Sequence, residues 1–360
     1  VVYTLPVTGI RVIFFPFLPN WRVPVGEKLA WNTTKIRSES GKRQAASITE
    51  NPAQAFDWDM LLVDKDHELF ENMVWLSQWR NFLIPIPTDV GWATLSSPVA
   101  VDDLVIPVID DDNLAFQDGG FVAIYEGTES FELAQIEPYV AGTITLVRGL
   151  KANWSAGVDV LPAAPAHMNK RQSVQAVTDE AATLKVGWLC DPSSHAPHLP
   201  DVAAPITYNG YELYVKRTNR IRPAQVRYIA DYDEFSSPGA VFYDQNQDHS
   251  DISRVYEWLC ADRQEIADFK AFLKRRDGGR VPCYLPLWHK AFELLAPIFS
   301  ASSVLVLKDN TFLKLVGVHS ARNHLVFYAE DGNFYPNEIT GFTDNQDGTV
   351  DFQFANNHGV

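Results

Sequence analysis

The residues of this chain that could do chemistry are scattered, and each group lacks the spacing its chemistry demands. The densest acidic run is Asp110-Asp111-Asp112-Asn113. Such a run could offer oxygens to Ca²⁺, which takes about six to eight of them. It lacks the DxDxDG-x5-E order of a calcium loop and lies between two predicted strands, so it reads as a solvated turn. Asp344-Asn345-Gln346-Asp347-Gly348 raises the same question, and Asp-Gly before an alternating strand has a full explanation as a hairpin turn. His195 and His198, with Asp191 and Asp201 nearby, could form a metal or acid–base centre. They sit among Pro192, Pro197 and Pro200 without HExxH or comparable spacing, and are expected in a mobile polar loop. Asp244, Asp248, His249 and Asp251 read as part of a loop joining strands. Neither a GxSxG elbow nor a GxGxxG or GxxxxGK phosphate cradle occurs. Cys190, Cys260 and Cys283 are far apart and odd in number, which predicts free thiols and no zinc site or disulfide framework. The expectation is therefore no catalytic, cofactor-binding or metal-ligating residue, and no enzyme.

The basic and aromatic residues point to recognition. Lys216, Arg217, Arg220, Arg222 and Arg227 alternate with Tyr211, Tyr214 and Ile221, and a second group comprises Lys274, Arg275, Arg276 and Arg280. Interleaved basic and aromatic side chains can suit nucleic acid. The net charge of −15 argues instead for pairing between subunits, where the planar fork of arginine meets carboxylates, and against specific nucleic-acid binding. Trp58, Trp75, Trp79, Trp258 and Trp288 fall on elements that need a core. Trp21, Trp31 and Trp92 lie near predicted loops and are candidate interface anchors.

The elements that must carry these residues follow from composition and pattern. A chain of 360 residues exceeds what one core usually supports. Its 22 Pro, 20 Gly and 12% aromatic residues favour many short strands. The opening Val1–Pro6 lacks the form of a signal peptide, and no apolar run is long enough for a membrane span. A repeat is visible. Phe56–Leu62 reads as a strand, Asp64–Trp79 as a helix with Leu69, Met73 and Leu76 on one face, and Phe82–Pro87 as an extended segment. About 200 residues later Tyr256–Leu259 reads as a strand. Asp262–Glu265 there has capping-box spacing, and the helix that follows carries Ile266, Phe269 and Leu273 to about Arg276. Gly278-Gly279 stops it, and Leu83–Ile86 lies opposite Tyr284–Leu287. Short alternating strands follow each copy, at Leu104–Val147 and at Ser303–Phe354.

The expected fold is mainly β with a few helices (α+β): tandem β-barrel-like domains, each with a packed helix, plus smaller inserted β modules. The expected divisions are 1–90 with a helix at about 64–79, 91–165, 166–290 with a helix at about 262–276 and a linker-like 189–205, and 291–360.

A Trp-bearing strand, an amphipathic helix ending near an arginine and a hydrophobic-Pro-hydrophobic strand together resemble the distal tail and baseplate-hub proteins of long-tailed (siphovirus) bacteriophages. Glu27–Thr33, Ser40–Ala45, Ala46–Pro52 and Phe56–Trp58 are similar to the opening hairpin of that family, and Arg254–Trp288 to its second unit. The resemblance implies a virion tail protein, made in the host cytoplasm, with tail-tube-type domains. It implies a structural role: a ring joining the six-fold tail tube to three-fold central hub and fibre proteins, with a channel for DNA ejection. A doubled chain would satisfy both symmetries as a trimer, with a hexamer as the other option. The clustered cysteines of cluster-bearing hub relatives are missing, which implies no iron–sulfur cofactor. The alternative reading is a carbohydrate-binding β module, with Trp21, Trp92 or Trp154 as platform, or a tail-associated glycan hydrolase. A hydrolase would hold two carboxyl groups about 5 to 9.5 Å apart.

Overall fold

The computed structural model describes residues 2–4, 11–37, 43–49, 51–77, 81–109, 114–170, 174–178, 181–191, 195–199, 204–218, 225–229, 232–237, 240–245, 251–288, 292–295, 304–308, 323–329 and 332–355. The chain is mainly β with two α-helices among the described residues. Its contacts divide it into two units. The first comprises Val1–Val202 with Ala261–Val281, and the second Ala203–Cys260 with Pro282–Val360. The expected boundaries at 90 and 165 fall inside the first unit, and the second helix is placed with the first unit instead of with 166–290.

The first unit opens with strands β1 (Val2–Thr4), β2 (Arg11–Phe14), β3 (Gly26–Ala30), β4 (Thr33–Arg37), β5 (Arg43–Ser47) and β6 (Ala53–Val63). Helix α1 (Lys65–Ser77) and β7 (Asn81–Pro85) follow. Then come β8 (Thr94–Leu95), β9 (Val105–Ile109), β10 (Phe121–Tyr125), β11 (Phe131–Val140), β12 (Thr143–Leu146), β13 (Asp159–Met168), β14 (Val174–Ala176) and β15 (Ala181–Cys190). Thirteen of these strands share one sheet. Strand β13 is its hub and pairs with β7, β8, β10 and β15. The stretch expected to be linker-like, 189–205, begins with the last two residues of β15, a long strand of the main sheet.

Period-two burial explains the core. Strand β6 turns Gln54, Phe56, Trp58, Met60 and Leu62 inward, and its partner β15 turns in Ala182, Leu184, Val186, Trp188 and Cys190. Trp58 and Trp188 stack at 6.0 Å, with Phe15, Phe70 and Phe82 edge-on around them. Strand β7 is apolar on both faces. Phe82 and Ile84 join this cluster, whereas Leu83 joins a second one with Phe14, Phe121 and Leu161. A third cluster, around Ile106, Val122, Ile124, Ile144 and Trp154, fills the module built from β8 to β12.

The second unit contains β16 (Thr207–Tyr208), β17 (Tyr211–Leu213), β18 (Gln225–Ile229), β19 (Tyr232–Ser237), β20 (Ala240–Gln245) and β21 (Asp251–Val255). After helix α2 (Arg263–Arg276) come β22 (Cys283–Tyr284), β23 (Val304–Lys308), β24 (His324–Tyr328), β25 (Phe334–Asp344) and β26 (Thr349–Phe354). Leu305, Leu307, Ile339, Val350, Phe352 and Phe354 form its core.

The two units repeat one pairing scheme. In the first, β1–β2, β3–β6 and β4–β5 are antiparallel, and β7 runs parallel to β2. In the second, β16–β17, β18–β21 and β19–β20 are antiparallel, and β22 runs parallel to β17. The modules repeat as well. The order β10-β11-β12-β9 recurs as β24-β25-β26-β23, and the long strand of each shifts register, after Ile136 and after Ile339.

Four expectations of the helical units need correction. Helix α1 buries Phe70 and Ser77 and half-buries Met73 and Val74, whereas Leu69 and Leu76 are exposed, because the sheet lies about one residue around the helix from the predicted face. Trp75, expected in the core, is 82% exposed. Helix α2 buries Ala267, Ala271 and Phe272 and leaves Ile266 exposed, and Tyr256–Leu259 is irregular, the strand having ended at Val255.

Candidate assembly interface

The densest set of polar contacts in the first unit gathers where α2 meets β3, the loop after β7 and the segment 195–199. The helix is built to start and stop there. The Asp262 carboxylate accepts the Glu265 amide at 2.8 Å, and the Glu265 carboxylate accepts the Ala261 amide at 2.6 Å. At the far end Asp277 adopts the left-handed conformation and its amide reaches the Lys274 carbonyl. Gly278 follows at φ 64°, and a side chain there would meet Trp31 and the Thr33 hydroxyl. Lys274, Arg275 and Arg276 occupy the last turn, where the helix dipole favours positive charge.

The side chains of α2 that reach the seat are basic, and the seat is acidic. The Arg263 guanidinium lies 4.7 Å over the Trp92 ring and 3.4 Å from the Asp89 carboxylate. Asp89 is buried, and it also accepts the Ala115 amide at 2.8 Å and the Thr88 hydroxyl at 3.2 Å. Nearly two turns short of the helix end, Lys270 Nζ stands 3.0 Å from Glu27 Oε2. Lys274 Nζ donates to the Leu199 carbonyl at 3.3 Å.

A chain of hydrogen bonds runs inward from Lys270. Glu27 Oε1 accepts from Gln54 Nε2 at 2.7 Å, and His195 Nε2 donates to Gln54 Oε1 at 2.8 Å. The amide orientation of Gln54 fixes the histidine as the donor. His195 is 6% exposed, and burial pulls its pKa down to about 4, so the ring is neutral at pH 7. Burial also lowers His198. His195, expected in a mobile loop, is held by its ring and by its amide, which donates to the Asp191 carbonyl at 2.9 Å. Beside the helix end a groove of about 780 Å³ is lined by Trp31, Asn51, Gln117, His198, Lys274, Arg275 and Arg280, among others.

The other residues that the sequence singles out lie apart. Trp31 and Trp92 are both at the α2 seat, and Trp21 is exposed on a turn. Trp154 is 8% exposed, with its Nε1 donating to Glu132 at 3.0 Å, so its ring is core and not a sugar platform. Trp258 is half-buried and donates to the Lys216 carbonyl at 3.1 Å. Arg217, from the basic stretch of the second unit, lies 5.2 Å over Trp288 and 4.8 Å over Tyr328. Asp344–Gly348 forms the β25–β26 turn, with Gln346 and Gly348 at positive φ. Asp244 pairs with Asp233 in β19–β20, and Asp251 opens β21. Trp79, Asp110–Asn113, Asp201, Arg220, Arg222, Asp248 and His249 lie outside the described residues. Among the described residues no group of three or more His, Cys, Asp or Glu is placed to hold a metal ion, and no helix is long and apolar enough to cross a membrane.

Sequence reasoning missed Asp89, Glu27 and Gln54. One signal was available: Gln54 is the single polar residue among the inward positions of β6. No protein-family model matches this chain, and no curated protein matches it.

Proposed function

We propose that this chain is a structural subunit of the tail tip of a long-tailed bacteriophage. Copies of it close into a ring between the tail tube and the hub and fibre proteins, around a channel for DNA. The observation that carries this reading is the doubled pairing scheme. A hairpin, a two-stranded ribbon, a strand–helix–strand unit with its parallel return and a four-stranded module occur twice in the same order. The resemblance to tail proteins rests on the same unit. Doubling supplies two quasi-equivalent surfaces per chain, which is what a three-fold ring on a six-fold tube requires.

The acidic balance supports a conduit. With a net charge of −15, a wall of this protein repels passing phosphates instead of holding them. The glycan-binding alternative loses one of its platforms with the burial of Trp154. Electron microscopy of the purified full-length chain tests the proposal. A closed ring with a central channel is expected, and a solitary particle at every concentration would overturn it.

A further inference from the structure

The repeat leaves one strand without a counterpart. In the first unit β13 lies between β10 and β7 and pairs antiparallel with both, Asp159–Ala163 along Phe121–Tyr125 and Ala163–His167 along Asn81–Pro85. The equivalent of β10 is β24, and that of β7 is β22. Among the described residues no strand joins β22 to β24, and the second unit forms separate small sheets where the first gathers thirteen strands into one.

The edge this leaves is defined by its ladder. Strand β24 pairs with β25 from His324↔Glu338 to Tyr328↔Phe334. The Ile339 amide donates to the Asn323 carbonyl at 2.6 Å, and the Ala329 amide to the Asn333 carbonyl at 3.1 Å. Antiparallel bonding alternates, so Leu325 and Phe327 bond to β25, and the amides and carbonyls of His324, Val326 and Tyr328 point the other way. The first unit obeys the same alternation. There the Ile136 amide donates to the Gly120 carbonyl at 2.9 Å, and the groups of Phe121, Ala123 and Tyr125 that point away from β11 meet β13. Exposure follows the difference. Strand β10 is buried throughout, whereas His324–Phe327 are half-buried and Tyr328 is 53% exposed. Leu325 and Phe327 pack on the core of their module as Val122 and Ile124 do on theirs, so β24 keeps the orientation of β10. An apolar strand edge of this kind is a template for pairing.

We propose that β24 is an acceptor edge for an extended strand of another polypeptide, which runs antiparallel to it and takes the place that β13 has in the first unit. The chemistry of that strand is read from β13. Val160, Leu161, Ala163, Ala164 and Ala166 bury both of its faces, and Val160–Ala166 carries no charge. The incoming segment is therefore uncharged, apolar on both sides and small where the layers close on it. Main-chain bonds to His324, Val326 and Tyr328 supply affinity, and the side chains that fit beside Leu325 and Phe327 supply selectivity. The acceptor edge follows from the repeat and stands apart from the ring reading.

Fluorescence anisotropy of a labelled peptide of the Asp159–Met168 sequence, titrated with the full-length chain, tests the proposal. Saturable binding is expected, with none for a peptide of scrambled order; no binding, or equal binding of the two peptides, would overturn it. Val326→Pro removes one amide that points to the incoming strand and spares the bonds to β25. It should weaken binding at least about 10-fold, with the near-ultraviolet circular dichroism unchanged. A folded Val326→Pro variant that binds as well as wild type would refute the edge pairing. Hydrogen exchange by mass spectrometry gives a reading that needs no variant. In the free chain the amides of 323–329 should exchange faster than those of 120–126, and they should slow when the peptide is added. Exchange already as slow as in 120–126 would mean that the edge is filled from within the chain, and the proposal would fall.

Discussion

At the scale of single residues, the most constrained group is His195, a neutral imidazole donating its Nε2 proton inside the first unit. Its folded pKa, about 4, lies below the ordinary 6.5 because burial disfavours the cation. Between those values the unfolded chain binds more protons than the folded one, so stability falls as pH drops from about 6.5 towards 4. Above that window the contribution is complete, on the order of 3 kcal/mol for a shift of that size. His198 is lowered by burial as well and steepens the same fall. His195→Gln keeps a donor for Gln54 but cannot titrate, so its urea midpoint should depend less on pH between 6.5 and 4 than that of wild type; superimposable curves would contradict the assignment. Asp89 is the second such residue. Replacing its carboxylate by the amide of Asn weakens the bonds from Ala115 and Arg263 at once, and should cost about 2 kcal/mol. Adding Arg263→Met to Asp89→Asn should then cost little more, since the two groups share one interaction. Full additivity in the denaturation free energies would mean that Arg263 draws its stability from partners other than Asp89, such as the Trp92 ring and the Thr88 carbonyl.

At the scale of elements, Gly278 decides whether α2 can seat. It needs a left-handed backbone, and a Cβ would strike the first carbon of the Trp31 side chain and the Thr33 hydroxyl, neither of which is a flexible tip. Gly348, in the β25–β26 turn, is also left-handed but has open space around it. Gly348→Ala should therefore cost about 1 kcal/mol, the backbone part alone. Gly278→Ala should cost at least about 2 kcal/mol, with the excess from steric overlap. Equal losses in a denaturant titration would show that α2 shifts to make room. These elements were legible to different degrees. Strands β6 and β26 were readable because strict alternation is a local signal, β10 and β23 because a short continuous apolar run is one too, and α2 because its cap residues adjoin it in sequence. The buried faces of both helices were misread, since the stripe a helix buries is chosen by the sheet it meets and not by its most apolar residues. Trp75 is the plainest case. The polar chain from His195 through Gln54 and Glu27 to Lys270 joins residues far apart in sequence, and no local pattern announces such contacts. The histidines among prolines look like loop residues for the same reason: their partners are strands a hundred and more positions away.

At the scale of the whole molecule, the question is why the halves have diverged in charge while keeping their pairing. Six identical single-unit subunits would need one surface complementary to itself around the ring. A doubled chain is freed from that constraint: the contact inside the chain and the contact to the next copy can be optimised separately. Helix α1 carries three acids and one lysine, whereas α2 carries five bases and two acids. A head-to-tail series closes only if the rotation per chain divides a full turn; otherwise it grows as a fibre. On the tail-tip reading proposed above, matching a six-fold tube with two units per chain would set that rotation at a third of a turn. Native mass spectrometry of the assembled protein should accordingly count three chains of 40.5 kDa each. If the contacts of the proposed ring pair opposite charges, the trimer should loosen as salt rises and the screening length shrinks from about 10 Å at 0.1 M to about 3 Å at 1 M. A count of six chains would mean that doubling serves some purpose other than bridging symmetries. A trimer indifferent to salt would show that its contacts are mainly apolar.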